Sequence, residues 1–222
     1  MNHTHITLQL SNGLSLPVIE LDGRESLNAP TCLSVTCPDD NPAVEVSNLT
    51  GQAATVLLHC GGYQRHWRLA IDSVRCLSNA NGATLYFTLC SKLHWAHEIK
   101  RTRLFMYQNR VQVLKQLLSE AGYQGFEIDL ILDLNQTPEG PFLQAQESNF
   151  SCFQRLLAEV GGVYWFEHHP DRKHETLMIR NDQVALGPYL SQVEWGRFAT
   201  PGLADAPRTS CSSARPLPAT GQ

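Results

Sequence analysis

Residues 142–182, FLQAQESNFSCFQRLLAEVGGVYWFEHHPDRKHETLMIRND, decide how the rest of the chain is read. Asn149 is an N-cap candidate, because its side-chain oxygen can accept from free amides of a first helical turn. Apolar residues then recur at Phe150, Phe153, Leu156, Leu157 and Val160, a spacing that places them on one helical face. Gln154, Arg155 and Glu159 fall on the other face. Gly161 and Gly162 end the helix, since glycine takes up a left-handed backbone at no steric cost. Val163 to Phe166 is a β-rich run, His168 to His174 a solvated polar turn, and Glu175 to Arg180 a returning strand with Leu177 and Ile179 on one side. The segment reads as a packing unit, not as a reaction centre.

The 222 residues allow one large domain or two small ones, and 42% hydrophobic content is enough for a packed core. Net charge is −4 with the positive residues scattered. That argues against a nucleic-acid groove or a polybasic membrane surface. No apolar run reaches bilayer-spanning length. MNHTHITLQL lacks a basic stretch followed by an apolar one, so the chain is expected to be made in the cytoplasm. Cys32, Cys37, Cys60, Cys76, Cys90, Cys152 and Cys211 form no C-x-x-C pair and are read as free thiols.

Working outward, Thr7–Leu10 and Leu14–Leu21 read as strands meeting at Asn12-Gly13, a favoured hairpin pair. A proline-rich loop follows, with one short strand over Cys32–Thr36, then Val44 and Val46 leading to a turn at Leu49–Gly51. Ala54–Cys60, Trp67–Leu77 and Thr84–Cys90 are three further strands, separated by Gly61-Gly62 and by the turn at residues 79–82. Short strands at this spacing suggest a small barrel or sandwich. After about residue 100 the pattern turns helical. Val111, Leu114, Leu117, Leu118 and Ala121 share a face and Gly122 closes the helix; Phe126, Ile128 and Leu130 then alternate with Glu127 and Asp129 as a half-buried strand. A Pro/Gly loop spans Thr137–Pro141. From Ala199 the apolar residues nearly vanish, which predicts a disordered tail.

Candidate chemistry is sparse. His94-x-x-His97 could place two imidazoles near one ion, and His168, His169 and His174 cluster in sequence, but no second pair stands at zinc-ligand spacing. Cys152 lies in a helix with no base in view. No catalytic, cofactor-binding or metal-ligating residues are expected. The chain is not expected to be an enzyme.

In combination the motifs resemble the hub region of the VgrG family, the tip proteins of type VI secretion systems, shared with phage late-control D proteins and baseplate hubs of contractile tails. The resemblance rests on Glu147-Ser148-Asn149-Phe150, Phe153-Gln154-Arg155-Leu156-Leu157, Glu159, Gly161, Tyr164 to His168 and His174 to Leu177, with Thr102 to Phe105 and Leu49 to Thr55 in matching order. Where the family shows a Gln-Tyr-Arg-Glu lead-in, this chain has Gln144-Ala145-Gln146-Glu147.

The resemblance implies an α+β, mostly β fold: two small β-barrel-like subdomains with inserted short helices, over 1–100 and 101–198, the second incomplete, and a tail over 199–222. It implies a structural part of a contractile injection machine, truncated before the oligonucleotide/oligosaccharide-binding-like and needle domains. The implied partners are two further copies in a homotrimer, an Hcp-like tube protein and baseplate components, with no nucleic acid and no membrane; export would run through the machine. The alternatives are a frameshifted remnant without a working role, and a metal-dependent hydrolase using the histidines.

Overall fold

The protein is described from a computed structural model covering residues 4–38, 48–79, 82–132, 134 and 140–181. The expectations for Val44, Val46, the tip of the 79–82 turn, most of the Thr137–Pro141 loop and the 199–222 tail lie outside the described residues.

Seven strands build the first sheet: β1 (Thr4–Leu10), β2 (Ser15–Pro17), β3 (Glu20–Arg24), β4 (Cys32–Pro38), β5 (Ala53–Cys60), β6 (Tyr63–Asn79) and β7 (Gly82–Cys90), in the order β2-β1-β5-β6-β7-β4-β3. The expected single strand Leu14–Leu21 is two strands. Val18 N–H donates to Ile6 on β1, and the next residue, Ile19, donates to Thr36 on β4. One bend in the chain thus carries it from one edge of the ladder to the other. The ladder itself stays open, but its two edges are consecutive pieces of one segment. Alternate residues of the strands, including Leu8, Val35, Val56, Trp67, Ile71, Leu85, Phe87 and Leu89, fill one core.

A 3-10 segment (Lys92–His97) leads to β8 (Lys100–Phe105), α1 (Arg110–Glu120), β9 (Ile128–Ile131), β10 (Phe142–Ser148), α2 (Asn149–Ala158), β11 (Val163–Glu167) and β12 (Thr176–Arg180). β8 and β10 form an antiparallel ribbon, and β12 lies between β11 (antiparallel) and β9 (parallel). A second core gathers Leu114, Leu117, Leu118, Phe150, Phe153, Leu156, Tyr164, Leu177 and Ile179 from both helices and the small sheet. Mostly β with few helices is therefore the observed class. Among the described residues no helix is long and apolar enough to cross a membrane.

Three local readings change. Ser148, not Asn149, caps α2, accepting from the Ser151 amide at 3.0 Å. β12, the central strand, is buried on both faces instead of one: Leu177 and Ile179 join the second core, and on the other face Met178 is buried beside Arg180, which pairs with Asp129 at 2.8 Å. The strand expected from Phe126 begins only at Ile128: Gly125–Glu127 is a 3-10 turn that leaves Phe126 exposed and buries Glu127. Glu127 accepts from the Lys92 ammonium at 2.5 Å and the Gln124 amide at 2.8 Å, so a paired charge is buried where the alternation set a solvent-facing one.

Both helices end alike. Gly162 N–H reaches Leu157 C=O and Gly161 N–H reaches Ala158 C=O; Tyr123 N–H reaches Leu118 C=O and Gly122 N–H reaches Ser119 C=O. These are paired Schellman closures, with Gly161 (φ 64°) and Gly122 (φ 92°) in the left-handed position. Gly162 has a second constraint, since a Cβ there would overlap the buried Leu157 side chain and lie 3.1 Å from its carbonyl oxygen. Gly162→Val is therefore expected to cost about 1–3 kcal/mol, read as a lowered urea midpoint with unchanged slope.

Candidate functional site

The expected histidine groups do not converge. His97 stacks on Phe150 with ring centroids 3.9 Å apart, and is separated from His94 by 6.1 Å between centroids. His169 faces Asp171 at the surface, and His174 meets the edge of Phe126. His168 is not part of a solvated turn. Its Nδ1 accepts from the Arg68 amide at 3.1 Å, while the Arg68 guanidinium donates to the carbonyls of His169 (3.4 Å) and Pro170 (2.7 Å). The reason is topological: β7 pairs with β6 only from Ala70 onward, so the Arg68 stretch of β6 has an open edge that the β11–β12 loop fills. Burial, with Arg65 and Arg68 nearby, holds the imidazole down at about 3. Cys152 is buried in α2, and burial pushes its thiol up to about 11. It is not an activated nucleophile.

What the structure does bring together is a polar seam between the two cores, contributed by residues far apart in sequence. Asn28, at φ 58°, pairs with the outer edge of β11: its amide donates to Tyr164 C=O and its Oδ1 accepts from Tyr164 N–H, both at 2.9 Å. Glu175 Oε1 accepts from the Lys92 amide (2.9 Å) and from Tyr123 Oη (2.6 Å), and Tyr123 Oη accepts from the Leu93 amide (3.1 Å). Ser91 offers the 3-10 segment no side-chain cap; Glu175 and Tyr123 satisfy its first amides instead. Burial raises the Glu175 carboxyl to about 7 against the pull of these donors.

A second network holds the ribbon to the helices. Arg103 on β8 donates to both oxygens of Glu120 (2.6 and 2.8 Å) and to Gln144 Oε1 (2.8 Å). Asn149 Nδ2 donates to Glu120 (2.9 Å), and its Oδ1 accepts from Gln144 (3.0 Å). Burial would raise the Glu120 carboxyl, but hydrogen bonds from Arg103, Asn149 and Gln116 outweigh it and hold it at about 2. Beside this network a shallow cleft is lined by Arg110, Phe142, Leu143, Glu147, Arg155 and Glu159. Its charges are matched: Arg110 to Glu159 at 2.9 Å and Arg155 to Glu147 at 2.6 Å. Such pairing supports shape, not proton transfer.

Charged pairing, a mixed sheet carrying two helices, and a larger sheet fastened to it make a module built for packing. The match to the phage tail baseplate hub (GPD) family covers residues 24–214, and the chain belongs to that family. It is 26% identical over 161 residues to the type VI secretion system spike protein VgrG1b of Pseudomonas aeruginosa, and 26% over 160 residues to VgrG1c of the same organism. Each alignment covers 71% of this chain, and the chain spans about a fifth of those relatives (21% and 22%). Among solved structures, an E. coli component of the type VI secretion system, similar in structure to the T4 tail proteins gp27 and gp5, matches with a TM-score of 0.71 at 20% identity, over 80% of this chain and 49% of that one. The MuSo2 prophage 43 kDa tail protein of Shewanella oneidensis matches at 0.56 and 14%, over 79% and 54%. At these identities the structural likeness speaks for the fold.

Two outcomes test the networks. Asn149→Asp sets a carboxylate oxygen where an amide donates to Glu120; thermal stability should fall at pH 8 and recover partly near pH 4, where one carboxyl of the pair is protonated. For His168, protonation removes the acceptor for Arg68 N–H, so the native imidazole opposes folding increasingly as pH falls from 6.5 toward about 3. His168→Asn keeps an acceptor near that position and cannot titrate. Its acid-unfolding midpoint should move to lower pH, with stability at pH 8 changed by no more than about 1 kcal/mol.

Proposed function

We propose that this chain is a non-enzymatic structural component of a contractile injection machine, a VgrG-like hub element that works by assembly. Family membership across residues 24–214 carries the reading. In it, residues 1–100 and 101–198 are the two hub subdomains. Three copies form a homotrimeric ring of six similar units that docks on an Hcp-like tube protein and on baseplate components. Synthesis and assembly take place in the cytoplasm, with export through the machine.

The contact surface best suited to this is the β8–β10 ribbon. Leu104 and Leu143 are directly opposed across it and both are more than half exposed, at 52% and 53%. Met106 and Tyr107 extend the patch, Tyr107 at 85% exposure and φ 57°. A bulky side chain held outward in a left-handed backbone is unusual, and contiguous apolar surface of this kind marks contact sites. An obligate ring contact buries upward of about 2,000 Å².

Light scattering after size exclusion should give a trimer for the native chain and a monomer for the Leu104→Glu/Leu143→Glu double variant, with circular dichroism unchanged. A native chain that stays monomeric at high concentration, and that fails to co-purify with tube or baseplate components, would sink the assembly reading.

A further inference from the structure

We propose that Cys32, Cys90 and His94 form a binding site for one Zn2+ ion, flanked on the imidazole side by Asp72. The proposal does not rest on the hub reading. One donor atom from each of Cys32, Cys90 and His94 lies within 4.8 Å of the other two. Cys32 and Cys90 are directly opposed on β4 and β7, with their sulfurs 2.6 Å apart. A tetrahedral zinc with bonds of about 2.3 Å to sulfur and about 2.0–2.1 Å to nitrogen sets its donors about 3.5–3.8 Å apart. The sulfurs lie closer than that and would have to part by about 1 Å, a shift that side-chain rotation can supply, while the imidazole donor is within 4.8 Å of both.

Asp72 arrives by a backbone irregularity. β6 pairs Ile71 with Leu89 and then Ser73 with Thr88, leaving Asp72 as the extra residue of a bulge. Bulges re-aim side chains, and this one sets the carboxylate 3.8 Å from His94 Nε2. A carboxylate beside a ligating histidine either binds the metal or fixes the ring. Two sulfurs with one imidazole form a donor set for a borderline-soft cation and exclude Ca2+ and Mg2+. Cys90 is buried while Cys32, His94 and Asp72 are half-exposed, which supplies both a dry side and a path for the ion. A Cys32–Cys90 disulfide would use the sulfurs alone and leave the bulged carboxylate and the imidazole without a role. The ion would staple β4 and β7 to the 3-10 segment that leads into the second core.

The test uses the full chain, purified under reducing conditions, stripped with chelator and titrated with Zn2+ and separately with Co2+. The expected result is one ion per chain and a thiolate-to-cobalt charge-transfer band. Cys32→Ser and Cys90→Ser should abolish the band, and Asp72→Asn should weaken Zn2+ binding about 10- to 100-fold. His97→Ala should bind as the native chain does. His94 is half-exposed, so His94→Ala is expected to fold, and its loss of tight binding with unchanged circular dichroism separates ligation from misfolding. The proposal is overturned if the folded native chain takes up no stoichiometric ion, if His94→Ala binds undiminished, or if a Cys32–Cys90 disulfide is recovered in place of metal.

Discussion

The contact on which the second half of the molecule depends is the one between Arg103 and Glu120, closed by Asn149 and Gln144. It joins a strand, the end of α1, the start of α2 and the β10 strand, so four elements meet at one ion pair. Removing one partner of such a pair costs more than the pair contributes net, because it leaves a charge out of water. Here the surplus acceptors of the carboxylate are filled by amide donors, and Gln144 itself is fully enclosed. That arrangement explains why Asn149 is not the helix cap. Its side chain is committed sideways to Glu120, and Ser148 takes over at the terminus.

The same geometry gives physical content to the way this lead-in departs from its family. Gln144 and Glu147, which match the family pattern, are both held by side-chain partners, Gln144 within the network and Glu147 by Arg155 at the cleft. Ala145 and Gln146, which replace an aromatic and a cation, are both exposed, and Gln146 sits at φ 52° in the ribbon's bulge. The departures therefore alter what the ribbon shows to a neighbour while leaving the packing intact.

Much of the fold was legible because it rests on short-range rules. The apolar face of α2, the glycines closing both helices, the Asn12-Gly13 turn and the strands around Val35, Val56, Ile71 and Phe87 all follow from periodicity or turn chemistry within a few residues. Failures fall where a distant partner overrides the local rule. Glu127 is buried because Lys92 reaches it, and His168 is drawn in because β6 has an open edge. The cysteine–histidine cluster was missed for the same reason. Zinc motifs announce themselves by tight spacing, whereas Cys32 and Cys90 become neighbours only through the pairing of β4 with β7. Of His94-x-x-His97, only His94 stands in that cluster.

The seam between the two cores is built from hydrogen bonds to titratable groups, and that makes its energetics differ from those of the cores. His168 must be neutral to accept from Arg68, and its lowered value means the cost of holding it neutral grows as pH falls from 6.5 toward about 3. Glu175 is held where burial favours the protonated acid, so its cost grows as pH rises from 4.5 toward about 7. The two slopes oppose each other between about pH 4.5 and 6.5, because the folded state binds fewer protons than the unfolded chain at one site and more at the other. Each group alone would make the joint pH-sensitive; placed together on one seam, their contributions act in opposite directions across that range. A joint built this way holds two cores in register without demanding that either surrender apolar surface to the other.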